Sequence, residues 1–108
     1  MGRYLVCGRY TPEATAAVRE AGYASRVEVL EGMFESLGGR LESVYFTIGD
    51  LSILGIAELP STAAEFALDS FTWATGTIES AAIYPLFTGE EADAAIAAQL
   101  SWAPPGQG

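Results

Sequence analysis

The 108 residues hold fourteen acids, five arginines, no lysine and no histidine, for a net charge of −9. A field of that sign repels phosphate backbones and anionic head groups, so neither nucleic acid nor a membrane surface is expected as a partner. Without histidine there is no Ser-His-Asp or Cys-His pair, no imidazole for haem and no mixed His and carboxylate metal site, and without lysine no Schiff base; no metal and no cofactor is expected.

Half of the residues are apolar, in periodic runs well short of the about 18 consecutive positions that a membrane span needs. Gly2 and Arg3 lead directly into a strand-like segment, with no secretory pattern ahead of it, and a cytoplasmic location is the expectation. The lone Cys7 has no internal disulfide partner, which fits a reducing compartment. One domain is expected over residues 1–100, followed by a flexible tail over 101–108 that is rich in Pro and Gly.

The first segment, Arg3 to Tyr10, reads as a strand that stops at Thr11-Pro12-Glu13, where Thr11 can cap a helix and Pro12 can open it. In the helical stretch that follows, Ala14, Val18 and Ala21 share one phase. Tyr23, Val27, Leu30, Phe34 and Leu37 share another, so a break is predicted near Gly22. Gly38 and Gly39 then close the helix. Val44, Phe46 and Ile48 alternate with polar neighbours across Arg40 to Ile48, a half-buried strand. Gly49-Asp50 predicts a two-residue turn into a third strand, Leu51 to Leu59.

Thr62-Ala63-Ala64-Glu65 has the spacing of a capping box for a helix to about Ala74, and Gly76 is its expected stop. Thr77 to Phe87 reads as a fourth strand with Pro85 at an edge. A second box, Thr88-Gly89-Glu90-Glu91, opens a short helix with Ala92, Ile96 and Leu100 on one stripe. The order β-α-β-β-α-β plus a terminal helix predicts an α+β, ferredoxin-like fold with both main helices on one face of an antiparallel sheet. With Val44, Phe46 and Ile48 toward the helices, the other face is expected to carry Leu41, Tyr45, Leu51, Ile53, Gly55 and Ala57. That surface is too apolar for open water. A second copy of the chain, as a homodimer or larger homo-oligomer, is its expected cover.

Tyr10-Thr11-Pro12-Glu13, the segment from Leu37 to Phe46 followed by Gly49, and Glu58-Leu59-Pro60 with Ala63-Ala64 resemble the small bacterial GYD-domain proteins. The likeness runs from about Tyr4 to Leu100 and implies kinship with the dimeric α/β-barrel superfamily, whose ferredoxin-like subunits pair sheet to sheet. One departure stands out. The Tyr and Asp of the family's name motif are absent, since the hairpin reads Gly49-Asp50-Leu51-Ser52. The resemblance implies fold and assembly but no reaction, because one fold hosts many activities.

Catalysis has to come from arginine, tyrosine, carboxylates or the substrate itself. Arg26 lies beside the Tyr23, Val27 and Leu30 stripe, where a guanidinium could clamp a carboxylate or enolate, or run along the edge of the core. Tyr45 and Tyr84, with Thr47 and Ser80, are expected on the sheet surface, as a proton donor and ligand contacts or as interface packing. Glu58 or Glu79 is a candidate base if desolvated, or else protects a sheet edge or pairs with arginine. Glu28, Glu31 and Glu35 read as a solvated helix flank. Cys7 reads as a small buried side chain, although Arg3 and Arg9 share its face of the strand. Arg26, Tyr45 and Glu58 are thus the candidate catalytic set, with Arg9, Thr47 and Tyr84 as candidate ligand contacts. The expected function is a cofactor-free enzyme or binder of a small hydrophobic molecule between sheet and helices. The alternative is a non-catalytic homo-oligomeric or regulatory module.

Overall fold

The computed structural model describes residues 2–98 and 101–106. The elements run β1 (Gly2–Tyr10), α1 (Pro12–Ala21), α2 (Tyr23–Ser36), β2 (Arg40–Phe46), β3 (Ile53–Leu59), α3 (Thr62–Ala74), β4 (Ile78–Leu86) and α4 (Gly89–Ala97). The strands form one antiparallel sheet in the order β2-β3-β1-β4. This is the ferredoxin-like arrangement, with an added terminal helix.

Several boundaries follow from nearby residues. The Thr11 hydroxyl accepts from the Ala14 amide, with Pro12 next to it opening α1. Gly22 adopts φ 99°, a value that side chains resist, and the chain breaks there between α1 and α2. Gly39 lies so close to β3 that a Cβ would collide with the Glu58 carbonyl. In α3 the cap is Ser61, whose hydroxyl accepts from the Ala64 amide, one residue before the expected Thr62. The box before α4 forms as expected: Thr88 accepts from the Glu91 amide, and the Glu91 carboxylate accepts from the Thr88 amide. No residue of α4 is buried, and Ala92 and Ile96 of the expected stripe are both exposed. Leu100, Gln107 and Gly108 lie outside the described residues.

The hairpin differs from its expectation in length but not in register. Phe46 pairs with Ile53, as a Gly49-Asp50 turn requires, yet the strands stop there instead of at Ile48 and Leu51. Beyond it only the Thr47 amide still donates to the Ser52 carbonyl. The loop is drawn toward β1 instead: the Ser52 amide donates to the Gly8 carbonyl, and the Ser52 hydroxyl accepts from the Tyr10 amide. Ile48, expected to face the helices, is 96% exposed.

The faces of the sheet also need correcting. Directly opposed residues of an antiparallel pair share a face. Val44 lies opposite Gly55 and Leu41 opposite Ala57, so Leu41, Ile53, Gly55 and Ala57 turn toward the helices and not away from them. A bulge between Leu41 and Ser43 lets Leu41 and Val44 share that face despite their odd spacing. Tyr4, Phe34, Ala57, Leu59, Ala64 and Leu68 form the buried core between sheet and helices.

Two apolar rows therefore cross the open face. Ser43, Ile56, Leu5 and Tyr84 make one, and Tyr45, Leu54, Cys7 and Ala82 the other. Charged rows flank them. Arg3, Glu42, Arg40 and Glu58 are linked at one end, and Arg9 meets Glu79 at the other. Among the described residues no helix is long and apolar enough to cross a membrane.

Candidate functional site

The sheet divides the candidate residues. Arg26, in the first turn of α2, points into the layer between helices and sheet, where its Nε donates to the Tyr10 hydroxyl at 3.1 Å. Its guanidinium carbon also lies 5.5 Å from the centre of the Tyr10 ring, a cation–π contact. Tyr45 and Glu58 sit on the opposite face. Tyr45 is 63% exposed on β2, and Glu58 lies 3.6 Å from the Arg40 guanidinium. The three side chains proposed for catalysis do not converge, because the single layer of the sheet stands between Arg26 and the other two.

The proposed ligand contacts are also split. Arg9 and Thr47 border a surface depression of about 660 Å³ between α1 and the β2–β3 loop. Arg9 is engaged there already, through Nε to Glu79 at 3.0 Å and Nη1 to the Gly49 carbonyl at 2.7 Å. Its charge is answered within the chain. Tyr84 lies on the open face opposite Leu5, farther along β4 from Glu79, and does not line that depression.

A different space collects the more suggestive chemistry. An outer cleft of about 480 Å³ runs between the α1–α2 pair and α3. Below it an inner chamber of about 90 Å³ reaches the sheet. Both are lined by Tyr10, Arg26, Met33, Leu68, Thr72 and Ile78, so the two spaces meet around Arg26. The inner walls are apolar, with Leu30, Phe34, Val44 and Ile53 among them, and Gly8 and Gly55 line the chamber at the sheet. Hydroxyls of Ser36, Thr72, Thr75 and Thr77 border the outer part. Arg26 is the only charged side chain among the described residues that line either space.

Tyr10 was not among the residues singled out from the sequence. Its signal lay in the alternation of β1: Tyr4, Val6, Gly8 and Tyr10 share one parity, and the helix-facing core follows it. What alternation does not carry is the meeting with Arg26, which depends on how α2 is laid across the sheet.

Electrostatics elsewhere are local and structural. Hydrogen bonding from Arg3 holds the Glu42 carboxyl below the usual carboxylate range, against some opposing desolvation, and raises the Arg3 guanidinium in turn. The Thr88 amide does the same for Glu91. Burial pushes the Tyr4 phenol up, and the nearby Glu65 adds to the shift. Cys7 is buried, its thiol 3.7 Å from the Ala82 carbonyl, while Arg3 and Arg9 on its face pair with glutamates. Glu28, Glu31 and Glu35 are exposed. Among the described residues no cluster of three cysteine or acidic side chains could hold a metal ion.

No curated protein and no solved structure matches the chain. The GYD domain family matches residues 4–96, nearly the whole of the described fold, and the chain belongs to that family.

Proposed function

We propose that the chain binds a small, largely apolar molecule in the cleft between the sheet and the helices, with Arg26 and Tyr10 holding its polar group. The observation that carries this reading is the convergence of one guanidinium and one phenol on a largely apolar space of ligand size, bordered on its outer side by serine and threonine hydroxyls. Small-molecule sites are typically such clefts, roughly 300–1,000 Å³ with a few placed polar groups. If the ligand is also turned over, the same pair supplies the chemistry: the guanidinium stabilises an oxyanion developing on a bound carbonyl compound, and the phenol is within reach to pass a proton. Tyr45 and Glu58, on the other face, take no part. The depression at Arg9 supports ligand binding less well, because its arginine is already paired.

The reading is tested by titrating the protein with hexanol, a neutral apolar probe, and following backbone amide resonances. Shifts at Met33, Thr72 and Ile78 are expected. Their absence, or shifts confined to Leu5 and Ile56 on the open face, would overturn it.

A second reading concerns assembly, and it is compatible with the first. Leu5, Leu54 and Ile56, each half-buried, lie at the centre of the open face, between the exposed Tyr45 and Tyr84. We propose that a second copy of the chain covers them, since a two-fold axis lets one apolar patch serve both subunits. A cytoplasmic location is part of the same proposal, supported by the single free Cys7.

A further inference from the structure

The five arginines are not treated alike. Arg3, Arg9 and Arg40 each lie within 3.6 Å of a glutamate, and Arg19 is exposed to water. Arg26 is half-buried, and among the described residues its only side-chain hydrogen bond is to the Tyr10 phenol. A chain with fourteen acids has left its inward-facing cation without one. Removing a cation from water without a counter-charge is costly, and an anion arriving in the cleft would offset that cost.

Building on the cleft reading, we propose that the ligand is a monoanionic carboxylic acid with a compact apolar body, its carboxylate seated on Arg26. The planar guanidinium has further N–H groups to offer the two carboxylate oxygens, since Nε alone is engaged by the phenol. Tyr10 accepts from Nε, so its own O–H is free to donate to the ligand. The apolar body lies along Met33, Leu68 and Ile78, and a small branched or ring group enters the inner chamber. One charge is the limit. A dianion or a phosphate would find a single cation in the cleft, inside a chain whose net charge is −9.

The test compares acids with the alcohols of matching shape: isocaproate with isohexanol, and phenylacetate with phenethyl alcohol. Phenylsuccinate serves as the dianion, and binding is read from amide shifts at Thr72 and Ile78. Each acid is expected to bind at least about tenfold tighter than its alcohol, the scale of one charge-assisted pair. Phenylsuccinate is expected to bind more weakly than phenylacetate. Arg26→Gln, with its fold checked by the rest of the amide spectrum, should erase the preference for acids, weakening acid binding by at least about tenfold and alcohol binding by clearly less. Arg26→Lys should retain part of the preference, because the charge stays while the fork is lost. Equal binding of acid and alcohol, a preference that survives Arg26→Gln, or tighter binding of the dianion would each overturn the carboxylate assignment and leave the cleft reading standing. Failure of every acid and alcohol to shift those amides would overturn both.

Discussion

The two faces of the sheet carry similar kinds of aliphatic side chain and treat charge in opposite ways. On the open face, guanidinium and carboxylate groups meet at both ends of the apolar rows, and each arginine there has a glutamate. On the helix-covered face the one arginine stands beside tyrosine alone, with space around it. Self-sufficient charge around an apolar patch suits a surface that meets a copy of itself. An uncompensated cation beside a cavity suits one that meets a ligand. On the two proposals above, the same secondary structure would serve two purposes, set by where the carboxylates are.

The largest effect that would break this comparison is on folding. Leu59 is fully buried on the helix face, so Leu59→Ala should cost about 2–5 kcal/mol in urea unfolding. Ile56→Ala on the open face should cost clearly less when measured at a concentration where the chain is monomeric. Equal losses would mean that the helix-covered face is not the main core. Next comes assembly. Ile56→Asp sets a charge in the middle of an apolar row and should leave a folded 11.4 kDa monomer in sedimentation, where the parent chain is expected to run as a dimer or larger. A parent chain that sediments as a monomer at high concentration would remove the oligomer from the proposal.

The smallest effect concerns the charged rows. Glu42 has its folded value depressed, chiefly by the hydrogen bond from Arg3. Its contribution to stability is therefore complete above the ordinary glutamate value, about 4.3, and is lost as pH falls through the lower folded value. Lowering the pH from about 5 to about 3 should reduce the melting temperature of the parent chain more than that of Glu42→Gln. Because the pair is exposed, the difference should be slight and should shrink further in high salt. A salt-independent difference would indicate that this row is buried in an assembly.

Part of this was legible in the residues alone. The element order, the break at Gly22, the Thr11 and Thr88 caps and the hairpin register all depend on interactions within a few residues. Pattern and glycine chemistry report such interactions directly. Alternation fails where it is carried across to a partner strand. The bulge between Leu41 and Ser43 reversed the parity of Leu41, and β3 took its facing from Val44 opposite Gly55. A cap moved by one residue, from Thr62 to Ser61, because both side chains can do the same work.

By itself, then, the sequence determined an α+β chain of ferredoxin-like order, its glycine breaks and its helix caps, because φ preferences and short-range hydrogen bonds are properties of neighbouring residues. It also narrowed any chemistry to arginine, tyrosine and carboxylate. Only the tertiary structure decided which of these meet. Arg26 and Tyr10 come together because α2, packed on the helix-covered face chiefly against β2, brings its first turn to the end of β1, while Tyr45 and Glu58 are set apart because side chains of opposite parity leave a sheet on opposite sides. A site is a fact about distances between distant residues, and packing creates those.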